Sequence, residues 1–277
     1  MSNNPWNNRR PSARPPRATP QAAGPREEAP VARGDNELRL YGVNAVLGMF
    51  ARRPQDLRKL YLLEAQIPRL QPLLKWCVAN RVGYRVVAEG DLNKLAASTH
   101  HEGVVADVLR HEPVPLANWL SAQPAGPSLA LWLDGVGNPH NLGAILRSAA
   151  HFGVSAILLP SHSKLALSGA AARVAEGGAD AVPLVRLPST PQALAQLRDG
   201  GYHLAATLVS GGDDLFATAL PQRLVYVMGA EGAGMDRDLA SLCDSRVSIP
   251  GSGAVESLNV ASATAVLLAS WRARYAV

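Results

Sequence analysis

The chain has 277 residues, 47% of them hydrophobic, and a formal net charge of +5. That length supports one large domain or two modest ones. No apolar run approaches the ~18 residues that span a bilayer, and the first residues hold no apolar signal core, so neither membrane insertion nor secretion is indicated. Cys77 and Cys243 are the only cysteines and stand far apart without ligand-like spacing. They read as small apolar residues in a reducing cytoplasm, not as a disulfide or metal framework.

Residues 1–36 are rich in Pro, Arg, Ala and Asn and almost empty of large apolar side chains. Such a stretch cannot bury enough surface to offset its ordering entropy, and it reads as a disordered basic tail. Arg9, Arg10, Arg14, Arg17, Arg26 and Arg33 stand there against Glu27, Glu28 and Asp35, which is six minus three, or +3 of the total. About +2 remains for the rest of the chain, so bulk charge there does not identify a polyanionic partner.

From Leu38 to Arg110 the pattern is α/β. Helices are predicted over 43–52, 67–80 and 91–97, and strands over 59–63, 83–88 and 104–109. His100, His101 and Glu102 adjoin one another. Read as neighbours on a strand, they point to opposite faces, which argues for structural or surface roles over a metal site. Residues 111–127 carry Pro113, Pro115, Pro124, Gly126 and Pro127 and read as a connection with a short helix near 116–122. Strands then fall at 129–136, 155–160, 183–187, 203–208, 224–228 and 246–249, and helices at 142–152, 168–175, 191–198, 237–243 and 257–274. Short apolar strands alternating with helices predict a parallel sheet covered on both faces, with ligands at the carboxyl ends of its strands.

Three stretches stand at such ends. After the first strand comes Asn138-Pro139-His140-Asn141-Leu142-Gly143-Ala144-Ile145-Leu146-Arg147. After the strand at 224–228 comes Gly229-Ala230-Glu231-Gly232-Ala233-Gly234. After the last comes Ile249-Pro250-Gly251-Ser252-Gly253-Ala254-Val255-Glu256-Ser257-Leu258-Asn259-Val260. In the third, Gly251 and Gly253 supply the bend, and Ser257 and Asn259 stand where a helix begins. A glycine bend feeding a helix start is also a natural anion site.

In this order the three stretches resemble the motifs of the SpoU (TrmH) family of RNA ribose 2′-O-methyltransferases. The resemblance covers the chain from about Leu38 onward. It implies a SPOUT-type parallel sheet with a trefoil knot over 128–277, which ordinary topology rules would not predict. It also implies a small ribosomal-protein-like α/β domain that binds RNA over 37–110, marked by Tyr41-Gly42-Val43-Asn44-Ala45-Val46 and His101-Glu102-Gly103-Val104. S-adenosylmethionine is the implied cofactor, held around Thr207, Gly229, Ile249 and Leu258. Asn141, Arg147, Glu231, Ser257 and Asn259 are the implied catalytic and RNA-facing set, with no metal. Asn141 and Arg147, six apart, are expected nearly on one helical face, with Arg147 as a planar clamp for phosphate.

The implied substrate is RNA, a guanosine of ribosomal RNA in preference to transfer RNA. The implied assembly is a cytoplasmic homodimer with Arg147 near the interface. Val266, Leu267 and Trp271 offer either a dimer contact or internal core. The basic tail is either an arm for RNA phosphates or a solvated extension. A non-catalytic RNA-binding protein on the same scaffold is the main alternative. A dinucleotide enzyme is disfavoured because Gly229, Gly232 and Gly234 follow the reverse of the usual spacing.

Overall fold

The computed structural model describes residues 36–230 and 234–275. The basic tail over 1–35 lies outside them. A four-stranded sheet comes first, built from β1 (Glu37–Tyr41), β2 (Leu57–Leu62), β3 (Gly83–Val86) and β4 (Val104–Leu109) in the order β1-β4-β2-β3. Strand β1 was not foreseen, although Leu38 and Leu40 alternate with Glu37 and Arg39 in the period of two that a strand requires. Its Leu40 joins Leu60, Leu62, Ala106 and Val108 under helices α1 (Val43–Arg52) and α2 (Gln71–Ala79). On the other face Leu92 of α3 (Glu89–Ala96) packs with Tyr61 and Val105.

His100 and His101 lie in the turn before β4, not on the strand. The buried His101 accepts from the Gly103 N–H through Nδ1 at 3.0 Å, so its Nε2–H donates to Asn93 Oδ1, also at 3.0 Å. That is a turn-fixing role, and no metal-competent cluster of acidic, His or Cys side chains occurs among the described residues.

The second sheet has eight strands: β5 (Val114–Pro115), β6 (Ser128–Leu133), β7 (Ala156–Leu159), β8 (Leu184–Arg186), β9 (His203–Leu208), β10 (Asp213–Asp214), β11 (Arg223–Met228) and β12 (Ser245–Ser248). Their order is β10-β12-β9-β11-β6-β7-β8-β5. Every pairing is parallel. Between the expected ends of the connection over 111–127, β5 extends this sheet along β8. Leu116 and Trp119 of α4 (Leu116–Ser121) are buried against it.

Alternation along β6 sends Leu129, Leu131 and Leu133 to one face, beneath α5 (Pro139–Phe152) and α9 (Val260–Arg272). Ala130 and Trp132 go to the other, against α4, α7 (Thr190–Asp199) and α8 (Arg237–Leu242). Leu267 and Trp271 of α9 are about 1% exposed and belong to this internal core, with Val266 packed beside them. Leu267 and Trp271 are therefore internal core, and Val266 is half-buried at its margin. Neither cysteine is paired: Cys77 is buried and Cys243 half-buried, and burial pushes both thiols up to about 11.

Helix α6 (Gly169–Ala175) joins the two layers. Ala172 packs into the first core and Ala175 into the second. Glycines permit the close approach: a Cβ on Gly48 of α1 would stand 2.6 Å from Gly177 Cα, and one on Gly143 of α5 would stand 2.5 Å from the Ala171 carbonyl oxygen. Buried charge fixes the same seam. Arg53 Nε lies 2.6 Å from Asp180 Oδ1, and Arg53 also donates to the Leu109 carbonyl at 2.9 Å.

Candidate active site

Four neighbouring strands, β12, β9, β11 and β6, end level with one another. Val247 pairs with Thr207, Thr207 with Met228, and Met228 with Leu133. Because the strands run parallel, the segments after them leave at one edge. Strands ~4.8 Å apart bring all four exits within about 15 Å. The chain steps from β6 to β7 and β8 on one side, then returns to β9, β11 and β12 on the other. Such a reversal opens a crevice at the carboxyl ends.

Two contacts knit the motif stretches together. Gly135, at φ +82°, lies so near the second stretch that an added Cβ would be 2.8 Å from Ala230 Cβ. Asn259 Nδ2 donates to Asn141 Oδ1 at 3.4 Å, across 118 residues of sequence. Asn259 is also the N-cap of α9, its Oδ1 accepting from the Ala261 N–H at 2.9 Å. The helix thus begins at Val260, later than expected, and Ser257 stands before it in an exposed segment. Of the two glycines assigned to the bend, only Gly253 needs its freedom, at φ +81°.

The cofactor candidates sit along the same edge. Gly229 follows β11 with the Met235 nitrogen 2.4 Å from where a Cβ would be, so only glycine fits there. Ala230 and Gly234 exchange backbone hydrogen bonds of 2.9 Å, closing the second stretch into a tight loop. Glu231, within that loop, lies outside the described residues. Thr207 Oγ1 donates to the Val227 carbonyl at 3.0 Å, leaving its lone pairs for a ligand. Ile249 packs on the core beneath, and Leu258 is 48% exposed. Val209 and Val255, 56% and 71% exposed, add apolar surface that sequence reading did not single out.

Arg147 departs from its expected place. At 100° per residue, six positions put it about 120° around α5 from Asn141. It is exposed, on the side of α5 that meets Gly178, and no described residue bonds or ion-pairs with it. Asn141 turns instead towards Asn259. Asp134, between β6 and the first stretch, was also missed. Burial raises its carboxyl pKa, with Asp236 adding to the shift and His162 opposing it. An acid directly after a fully buried strand was the signal for it.

The SpoU rRNA methylase family model matches residues 128–269, and a model described as RNA 2′-O ribose methyltransferase substrate binding matches residues 39–114. The chain belongs to the SpoU rRNA methylase family. Among relatives of this SpoU protein, a 23S rRNA (guanosine-2′-O-)-methyltransferase RlmB from Bordetella pertussis is 36% identical over 232 residues, spanning 83% of this chain and 94% of its own length. The uncharacterized tRNA/rRNA methyltransferase YfiF of Escherichia coli O157:H7 is 37% identical over 235 residues, covering 85% of this chain and 68% of its own. An AdoMet-bound rRNA methyltransferase from Sinorhizobium meliloti shares the fold at a TM-score of 0.73 and 24% identity, covering 87% of this chain and 89% of that one. No helix among the described residues is long and apolar enough to cross a membrane.

Proposed function

We propose that this SpoU-family protein transfers a methyl group from S-adenosylmethionine to the ribose 2′-hydroxyl of a guanosine in ribosomal RNA. The observation that carries the reading is the direct bond between Asn141 and Asn259, which ties the first and third motif stretches together at the carboxyl edge of the parallel sheet. The relatives named for guanosine 2′-O-methylation of 23S rRNA favour ribosomal over transfer RNA.

The cofactor fits this edge. The exposed Val209, Val255 and Leu258 supply apolar surface for it, and Thr207 with the backbone of Gly229 and Ile249 are its assigned polar contacts. Its sulfonium supplies an activated methyl group. The protein's part is alignment and care of the hydroxyl proton. In this reading Asn141, Ser257 and Asn259 hydrogen-bond the reacting ribose, Glu231 is assigned to fix Arg147 or Asn141, and Arg147 clamps the adjoining phosphate and lowers the hydroxyl's pKa.

The same reading includes a trefoil knot, supported by β11 lying between β6 and β9 while the later β12 lies outside β9. It divides the chain into a basic tail (1–36), an RNA-binding domain (37–110), a connection (111–127) and a methyltransferase domain (128–277), in a cytoplasmic homodimer. The exposed Arg147, turned away from Asn141, supports a site completed in trans, with Arg147 of one subunit serving the cofactor edge of the other. Mixing Arg147→Ala and Asn259→Ala proteins under exchange should then restore activity in up to about a quarter of the sites. A site completed in cis restores none.

The overall test is incubation of unmodified 23S rRNA transcript with labelled S-adenosylmethionine. Label should enter one alkali-resistant dinucleotide containing guanosine. Label on a base, or none from protein that binds the cofactor, refutes the activity.

A further inference from the structure

A groove of about 420 Å³ runs between α1 and the carboxyl end of α5, well away from the Asn141–Asn259 contact. Asn44, Arg52, His151 and Glu176 bring polar groups to it, over a floor that includes Gly48 and Gly178. Arg52 and His151 are both exposed, and Arg52 has no hydrogen-bond or ion-pair partner among the described residues. Glu176 is the one carboxylate lining it, and Asn44 Nδ2 already donates to that group. Arg69 donates to the other end of the Asn44 amide at 3.1 Å, adding a further positive charge beside the groove.

The groove leads towards Arg147. His151 lies one helical turn beyond Arg147 on the same face of α5. A Cβ on Gly178, in the floor, would be 3.1 Å from Arg147 Cα. Side chains on a helix lean towards its amino terminus, so Arg147 projects onward from the groove's end. The stretch from Arg147 to His151 is about 6 Å of helix axis. Arg52 in the groove and Arg69 beside it stand against the single carboxylate of Glu176.

We propose that this groove carries sugar-phosphate backbone of the RNA flanking the target nucleotide, with Arg52 and His151 as phosphate contacts that lead the strand to Arg147. The inference rests on the RNA-methylating reading and assigns it a strand path. Glu176 acts against binding and marks the groove electrostatically, because removing its charge should strengthen the interaction that removing Arg52 weakens.

The test uses the full-length protein and a labelled, unmodified 23S rRNA transcript in filter binding without S-adenosylmethionine, across a salt series. Arg52→Gln should weaken binding about 5-fold or more at ~0.15 M salt and lower the slope of log K against log [salt] by roughly 0.7 to 1. His151→Gln should weaken it in the same direction. Glu176→Gln, which keeps an oxygen for the Asn44 amide, should tighten it. Arg237→Gln, on α8 across the sheet from α5, is the charge control and should change the slope less than Arg52→Gln does. In turnover assays Arg52→Gln should raise KM for RNA and leave kcat and S-adenosylmethionine affinity unchanged. If Arg52→Gln matches the Arg237→Gln control and Glu176→Gln leaves affinity unmoved, the groove does not carry RNA. Loss of methyl transfer in the wild-type protein would refute the activity instead, since the binding comparison is made without cofactor.

Discussion

Asn259 does two jobs that one substitution can separate. Its Oδ1 caps α9 through the Ala261 N–H, and its Nδ2 donates to Asn141 across the motif junction. In Asn259→Asp the carboxylate keeps the cap, and negative charge at a helix amino terminus favours it. The donor to Asn141 is gone, and two acceptor oxygens now face each other. Asn259→Ala removes both bonds. The loss of a cap costs about 1 kcal/mol, within a range of roughly 0.5–2. In a folded body of this size that is a fall in Tm of about 2–4 °C. Thermal unfolding followed by circular dichroism should therefore show Asn259→Asp within about 1 °C of wild type and Asn259→Ala lower by the stated amount. Methyl transfer from labelled S-adenosylmethionine should drop at least 10-fold in both, a change of about 1.4 kcal/mol in transition-state stabilisation. Full turnover by a stable Asn259→Asp protein would show that the Asn141–Asn259 bond has no part in catalysis.

Two further outcomes follow from the described interactions. Asp180→Ala removes the 2.6 Å partner of the buried Arg53 guanidinium but leaves it Asp56 and the Leu109 carbonyl, so chemical denaturation should record a loss below the ~3–5 kcal/mol of a fully uncompensated buried charge, and no loss at all would refute a structural role for the pair. Asp134 has a raised folded pKa, so its ionisation opposes folding once pH exceeds the unfolded value, and the penalty is complete above the folded pKa. Asp134→Asn should accordingly raise Tm more at pH 7.5 than at pH 4, and an equal shift at both would refute a perturbed carboxyl.

Local pattern and tertiary placement divided this protein unevenly. The helix over 43–52 and the strands over 104–109 and 203–208 appear with the predicted bounds, because their apolar periodicity and their end residues coincide. The two-residue β5 and β10 escape sequence reading because strands this short are defined by the neighbour they pair with, which is remote in sequence, whereas β1 carries its alternation in its own residues. At the site, the cap position of Asn259 was legible from its residue type. The displacement of Arg147 from Asn141 follows from helical phase alone. Its meeting with Gly178 does not, because α1, α6 and the turn at Gly178–Asp180 are brought to α5 by packing between the two layers.

The alternation of buried strands with helices, and the glycine and small polar residues at their carboxyl ends, are local properties, so the amino-acid order alone determined a parallel sheet with three loaded loops. Which strands are neighbours is a non-local choice. Setting β11 between β6 and β9 made the loops meet, through Gly135 against Ala230 and Asn141 against Asn259. Both faces of the sheet are buried under helices in that order, so the strand pairing and the helix packing that fix the site are set together by contacts remote in sequence.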